Sequence, residues 1–159
     1  MLCWPVISLP KHTITMKTNI WPGNSCEAEN IALLGINNNI ILSTERNGGK
    51  LTILEQVVNI GSASPLLTCA REEKVIYIAE GNFVLSADGQ QYHAGKGASM
   101  LVPKGVVHHF KNIGTSIGKL LITLTPGRRD ALLKGIDSSV KVYGENIEAI
   151  KNAAITCSV

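Results

Sequence analysis

The sequence has few aromatic residues, a small charge surplus and no long apolar run. Aromatic residues make up 4% of the chain, too few for the base-stacking platforms of proteins that bind single-stranded nucleic acid. Fifteen basic and twelve acidic residues leave a net charge of +3, and this scattered surplus also argues against nucleic acid. No apolar run reaches the roughly 18 residues that a membrane-spanning helix needs. We therefore expect no nucleic-acid partner and no membrane partner.

The sequence also lacks the signals of export and of a disulfide framework. Residues 1–17 have no basic stretch ahead of their apolar residues, and Pro5 and Pro10 interrupt those residues, so we expect no signal peptide and a cytoplasmic location. The four cysteines are far apart and form no CxxC pair: Cys3, Cys26, Cys69 and Cys157. This spacing favours reduced thiols over disulfides or a zinc site.

The length and patterning predict one all-β domain with additions at both ends. A chain of 159 residues is one domain's worth of sequence and buries enough surface to fold without a metal or a disulfide. Residues 1–30 are irregular and predict an N-terminal arm. Residues 31–127 alternate short β-branched and leucine-rich runs with turn residues, which is typical of a β-sandwich or barrel. Residues 128–159 predict a C-terminal helical segment.

Turn and helix signals divide this pattern further. Asn37, Asn38 and Asn39 lie between two apolar runs and predict a hairpin tip. Turns are also expected at residues 47–49 and 88–89. A short helix is predicted over residues 128–134, ending at Gly135, and an amphipathic helix over residues 146–154. Arg128 and Arg129 at the start of the first helix are most simply a solvated pair, with a phosphate contact as a weaker alternative.

Two stretches share a regular frame of glycines. The downstream frame is G-x5-P-x-G-x2-H-x3-N, formed by Gly97, Pro103, Gly105, His108 and Asn112. The upstream frame is formed by Gly61, Leu67, Cys69, Lys74 and Gly81. The downstream frame resembles the second conserved motif of the cupin superfamily at every fixed position. The upstream frame is similar to the glycine frame of the first cupin motif, G-x5-H-x-H-x4-E-x6-G, but lacks its chemistry.

The wider context is similar to single-domain, quercetin-dioxygenase-like cupins over about residues 30–135. The similar segments are LLGINNNIILSTERNGGKLTILE, EEKVIYIAEGNF and LLITLTPG. The resemblance implies a small jelly-roll cupin barrel with a pocket inside. It also implies a homodimer, in which the N-terminal arm is a plausible strap across the twofold axis.

The resemblance also implies a metal site, but most of the ligand positions have changed. Cupins of this type place two histidines, a carboxylate and a third histidine around an open divalent metal. These positions fall here on Leu67, Cys69, Lys74 and His108. Leucine has no donor atom, and lysine places a cation where a metal needs an anion; two unit charges of like sign at about 4 Å repel by roughly 4 kcal/mol at an effective dielectric near 20. We therefore expect a degenerate site with no metal and no other cofactor.

Strand periodicity identifies two candidate catalytic residues. Lys74 shares a strand face with Ile76 and Ile78, which makes it a candidate buried amine whose lowered pKa suits a base or a Schiff-base nucleophile. The alternative is a lysine that snorkels to solvent. His108 is expected to point inward, with His109 outward, and to act as a general acid or base or to remain as a former ligand without a task. The predicted pocket wall is Leu67, Cys69, Ile76, Ile78, Met100, Phe110 and Ile122.

Three functions remain open at this point. The first is a metal-independent pocket for a hydrophobic metabolite, with isomerisation, cyclisation or dehydration as its chemistry if it is an enzyme. The second is a non-catalytic ligand-binding or accessory cupin. The third is a metal-dependent dioxygenase with a rebuilt ligand set, for instance Cys69 and His108 with Glu55 or Glu73.

Overall fold

The computed structural model describes residues 28–127, 129–131, 133–135 and 137. Strands dominate this part of the chain, with one 3-10 turn at Thr44–Arg46. The strands are β1 Glu29–Leu33, β2 Ile36–Leu42, β3 Thr52–Val58, β4 Leu67–Thr68, β5 Glu73–Glu80, β6 Asn82–Ala87, β7 Gln90–Gly95, β8 Ser99–Val102, β9 Val107–Asn112 and β10 Gly118–Thr125. The predicted all-β fold class is confirmed.

Two antiparallel sheets pack face to face. One has six strands in the order β1-β2-β3-β10-β5-β8, and the other has four in the order β4-β9-β6-β7. Because successive residues of a strand point to opposite faces, β5 alternates strictly: Lys74, Ile76 and Ile78 are buried, while Val75 and Tyr77 are exposed. The alternation predicted for this strand is confirmed.

Aliphatic side chains and one aromatic pair fill the space between the sheets. The buried cluster includes Ile78, Leu85 and Leu120. Phe83 and Phe110 meet edge to face with centroids 6.1 Å apart, a geometry worth about 0.5–1.5 kcal/mol beyond the burial of the rings. This core fills one end of the sandwich and leaves the Lys74 end for a site.

The first hairpin turns earlier than predicted. Leu34 and Gly35 have φ angles of 52° and 74°, the left-handed conformation of a two-residue hairpin turn. Asn38 lies inside β2 instead, where its Nδ2 donates to the Ile31 carbonyl at 3.0 Å and its Oδ1 accepts from Gln56 Nε2 at 2.6 Å. A buried asparagine with satisfied bonds is compatible with a strand, so the predicted tip at residues 37–39 was wrong. The turns expected at residues 47–49 and 88–89 are confirmed.

The C-terminal described residues are helical and dock on the barrel. Residues 129–131, 133–135 and 137 are helical, so the helix reaches past the end predicted at Gly135. The buried carboxylate of Asp130 accepts hydrogen bonds from the Thr44 backbone N–H at 2.9 Å and from the Thr44 hydroxyl. Almost all of the predicted arm and the helix predicted over residues 146–154 lie outside the described residues. Within the described part of the chain, no helix has the length and apolarity to span a bilayer.

Candidate functional site

A cavity of about 80 Å³ lies between the two sheets, beside the helical residues. Most of its wall is aliphatic, with Leu54 and Leu124 from the large sheet and Leu133 from the helix. Its polar lining side chains are Asn38, Gln56, Ser64, Lys74 and Arg129. An apolar wall with a few converging polar groups is the usual form of a small-molecule site.

Part of the predicted wall lines this cavity. Leu67, Phe110 and Ile122 are lining residues. Cys69, Ile76 and Ile78 belong to the buried core, and Met100 packs against it; these four are not among the lining residues. Because the core fills the barrel beyond Lys74, the cavity occupies only the end of β5 that carries this lysine.

Lys74 lines the cavity and forms a buried pair with His108, which is not itself among the lining residues. Lys74 on β5 is 4% exposed and His108 on β9 is 2% exposed. The Lys74 Nζ lies 2.6 Å from His108 Nε2. Lys74 therefore does not snorkel to solvent, and both side chains point inward as their strand periodicity predicted.

The second ring nitrogen of His108 fixes the direction of this hydrogen bond. His108 Nδ1 lies 2.9 Å from the Val106 carbonyl oxygen. Because a carbonyl only accepts, Nδ1 carries the hydrogen, and Nε2 is left with a lone pair. His108 Nε2 therefore accepts from Lys74 Nζ, and the backbone of the turn before β9 orients the ring.

Burial shifts the pKa of both members of the pair downward. Burial, followed by the nearby Arg129 cation, lowers the pKa of Lys74 to about 7, while Cys69 and Glu72 act in the opposite direction. Burial, followed by Lys74, lowers the pKa of His108 to about 4. At neutral pH His108 is therefore an uncharged imidazole, and Lys74 is present as both amine and ammonium.

Arg129 is a site residue that the sequence did not identify. It is 8% exposed, lines the cavity, and its Nη2 donates to Cys69 Sγ at 3.3 Å. The predicted solvated state was wrong for Arg129, because the docking of Asp130 on Thr44 brings this helical turn against the barrel. Arg128 lies outside the described residues. No local pattern marks Arg129, since its burial depends on a contact between residues 86 positions apart.

The residues around His108 do not fit the divalent metal that the cupin resemblance implies. In the described residues, no group of three His, Cys, Asp or Glu side chains is placed to hold a metal ion. The metal-binding lone pair of His108 Nε2 already accepts from Lys74.

The carboxylates that were considered as replacement ligands also lie elsewhere. Glu73 is exposed, and Glu55 accepts from Asn39 Nδ2 at 3.1 Å and lies 4.0 Å from Lys119. Because the neighbours Leu54 and Gln56 line the cavity, Glu55 occupies a position between two inward-facing residues and points to the opposite face.

One curated relative matches half of the chain. It is an uncharacterised protein of Methanocaldococcus jannaschii, 29% identical over 79 residues, which are 50% of this chain and 63% of the relative. The match thus spans less than two thirds of the length of that protein.

Solved structures with low sequence identity share the fold. The polyketide cyclase RemF from Streptomyces resistomycificus has a TM-score of 0.58 at 17% identity, covering 69% of this chain and 81% of the cyclase. The nucleoside dehydratase Pac13 from Streptomyces has a TM-score of 0.58 at 17% identity, covering 70% and 87%. At these identities the likeness concerns the fold alone.

The central part of the sequence matches the model of a protein family. Residues 55–124 match the model described as Cupin domain, and this range includes both glycine frames from Gly61 to Asn112. With the two-sheet fold and its structural neighbours, this match supports the resemblance: residues 55–124 match a cupin domain, and the described part of the chain has the fold of solved cupin structures.

Proposed function

We propose that this cupin binds a small molecule in its cavity and catalyses a metal-independent proton transfer on it. Isomerisation, cyclisation and dehydration of a hydrophobic metabolite all contain such a step. One observation carries the proposal: the Lys74 amine lines the cavity and lies 2.6 Å from His108 Nε2. The lone pair of this nitrogen, which a metal would need, accepts from the amine instead. The same fold carries a polyketide cyclase and a nucleoside dehydratase, so it is compatible with this chemistry.

In this proposal Lys74 is the base and His108 is its positioning residue. The pKa of Lys74, lowered by burial to about 7, leaves a substantial fraction of neutral amine at physiological pH. The amine removes a proton from a carbon next to a carbonyl group and becomes an ammonium, which donates to His108 Nε2. The sequence alone favoured His108 as the acid or base. The pKa of His108, lowered to about 4, makes it a poor base at neutral pH.

Arg129 completes the proposed chemistry. Removal of a proton beside a carbonyl places negative charge on the carbonyl oxygen, and a buried guanidinium stabilises such charge strongly. The Lys74 ammonium then returns the proton to another atom for isomerisation, or to a departing hydroxyl group for dehydration. In isomerisation the proton ends on the substrate, and in dehydration it leaves with the hydroxyl group as water, so Lys74 returns to the amine in both cases.

Deuterium exchange tests this proposal without knowledge of the natural substrate. The metal-stripped protein is incubated in D2O with 2-pentanone and with 2-oxopentanoate, and exchange beside the carbonyl is followed by proton NMR. We expect exchange to exceed that with the K74M variant by about 100-fold or more, and the rate with the uncharged probe 2-pentanone to rise with pH through a midpoint near 7, where the Lys74 amine forms. Equal rates with both proteins and both probes contradict the proposal.

Variants of His108 separate positioning from simple structural support. His108→Leu removes the acceptor that favours the ammonium, so we expect exchange to slow by about tenfold or more and its pH midpoint to fall below that of the wild type. His108→Gln restores an acceptor oxygen and should recover part of both effects. A slower rate with an unchanged pH profile in both variants contradicts the positioning role.

A non-catalytic ligand-binding cupin is the second candidate, because the same cavity can hold a molecule without changing it. It is the conclusion if ligands bind and neither probe exchanges. A dioxygenase with a rebuilt metal site is disfavoured by the positions of Glu55 and Glu73. The homodimer and the cytoplasmic location remain predictions, and the oligomeric state is directly measurable by sedimentation.

A further inference from the structure

Two buried basic side chains face the same apolar cavity. Lys74 is 4% and Arg129 is 8% exposed, and both line the cavity. The hydrogen-bond partners found for them among the described residues are the imidazole of His108 and the thiol of Cys69, neither of which is a carboxylate. A buried cation without an anionic partner is costly.

Acidic residues nearby do not balance this charge inside the cavity. Glu72 is buried and raises the pKa of Lys74, but this is the smallest of the four influences on that lysine, behind burial, Arg129 and Cys69. The Asp130 carboxylate accepts hydrogen bonds from the backbone N–H and the hydroxyl of Thr44. No Asp or Glu is among the described residues that line the cavity. The cavity therefore presents an excess of positive charge to whatever enters it.

We propose that the ligand of this cavity is a short aliphatic carboxylate, with its carboxylate between Arg129 and Lys74 and its chain against Leu54, Leu67 and Ile122. A guanidinium matches the planar geometry of a carboxylate with two parallel hydrogen bonds. The remaining wall is aliphatic, so the rest of the ligand is apolar. The inference rests on the proposed function and names the substrate class of the same site. Because a bound carboxylate holds Lys74 as an ammonium up to a higher pH, Lys74 acts as a base towards such a substrate only at a pH above that at which this ammonium loses its proton.

The volume of the cavity limits the size of this ligand. A cavity of about 80 Å³ is small beside the roughly 300–1,000 Å³ of pockets for drug-sized ligands, so a short ligand fits it. Pentanoate is such a ligand and serves as the probe. Pentanamide has the same shape without the charge and serves as its matched control ligand.

Binding of a carboxylate beside Lys74 has a protonation signature. An anion favours the ammonium form and raises the pKa of Lys74 from its free value of about 7. At pH 8 the free protein holds Lys74 mostly as the amine, so binding takes up a proton from solution. Because the bound state holds more protons, affinity falls as pH rises above 7. The charged and titratable groups that face Lys74 are Arg129, Cys69, Glu72 and His108.

Calorimetry at pH 8 in two buffers of different ionisation enthalpy measures both affinity and proton uptake. We expect pentanoate to bind about tenfold or more tighter than pentanamide and to take up close to one proton per site. Arg129→Gln should weaken pentanoate binding by about tenfold or more. Lys104→Gln removes an exposed cation and should change nothing. Lys74→Met should abolish the proton uptake while Arg129 still binds pentanoate, which keeps the test decisive if Arg129→Gln fails to fold.

Other outcomes overturn the inference or separate it from the proposed function. Equal binding of pentanoate and pentanamide, or binding without proton uptake, contradicts it. Tighter binding of inorganic phosphate than of pentanoate also contradicts it, since the cations then serve a phosphate site. Pentanoate binding with proton uptake but no exchange of either 2-pentanone or 2-oxopentanoate leaves the carboxylate site intact and refutes the catalytic proposal. Exchange of 2-pentanone together with equal binding of pentanoate and pentanamide supports the catalytic proposal and refutes the carboxylate site.

Discussion

Replacing Lys74 by methionine is expected to stabilise the protein by about 3 kcal/mol at pH 7. The pKa of Lys74 is about 7 in the folded protein and 10.5 in its unperturbed state. A difference of about 3.5 units corresponds to roughly 5 kcal/mol of unfavourable burial of the charged form. Loss of the hydrogen bond to His108 Nε2 offsets about 1–2 kcal/mol of this gain.

The pH dependence of this stabilisation has a defined sign. Between pH 7 and 10.5 the unfolded chain binds more protons at Lys74 than the folded protein does, so the stability of the wild type rises across this window. The variant lacks this titration, so its advantage is largest at pH 7 and below and disappears towards pH 10.5.

Urea unfolding of both proteins at pH 7 and pH 10 measures the effect, and Lys104→Met provides a matched control because Lys104 is exposed. We expect no stabilisation in this control. Two results contradict a buried lysine that destabilises the fold. In the first, K74M is less stable than the wild type at pH 7; in the second, the difference in the free energy of unfolding between the two proteins is the same at pH 7 and pH 10.

Asp130→Ala is expected to destabilise the protein by about 3 kcal/mol and to weaken pentanoate binding. The buried Asp130 carboxylate accepts from the backbone N–H and the hydroxyl of Thr44, and each hydrogen bond to a charged group contributes about 1.5–3 kcal/mol. The same helical turn carries Arg129 and Leu133 into the cavity wall. Loss of this contact therefore loosens the wall as well as the fold.

Thr44→Val is the matched control for this contact, because it removes the hydroxyl bond and keeps the backbone bond to Asp130. We expect about half of the loss in the free energy of unfolding, with tighter pentanoate binding than in Asp130→Ala. Urea unfolding and calorimetry provide the two measurements. A stability for Asp130→Ala within about 0.5 kcal/mol of the wild type, the range of ordinary surface substitutions, contradicts the docking role.

The sequence predicted those parts of the fold and site that depend on local periodicity. The alternation within β5 and β9 placed Lys74 and His108 on inward faces, because a strand repeats every two residues. The glycine frames led to the cupin resemblance, because glycine supplies the left-handed conformation found at Gly81, Gly97 and Gly105. The direct contact between Lys74 and His108 was not predicted, because two inward-facing residues on different strands need not touch.

Features that depend on distant contacts were not predictable in the same way. Asn38 has the composition of a turn residue, but its bonds to Ile31 and Gln56 keep it in a strand. Arg129 has the composition of a surface residue, but the bond between Asp130 and Thr44 buries its helical turn. The extent of the cavity along β5 depends on how the core packs, which residue type alone does not specify.

A buried lysine amine, rather than a metal, is the partner of His108 Nε2 in this structure. Nitrogen and carbon NMR of selectively labelled lysine and histidine, recorded across pH 3–11, tests it most directly. We expect Lys74 to titrate with a pKa near 7, and His108 to keep its hydrogen on Nδ1 and stay uncharged until the pH approaches 4. A Lys74 pKa near 10.5, or a His108 ring with its hydrogen on Nε2, would contradict the account.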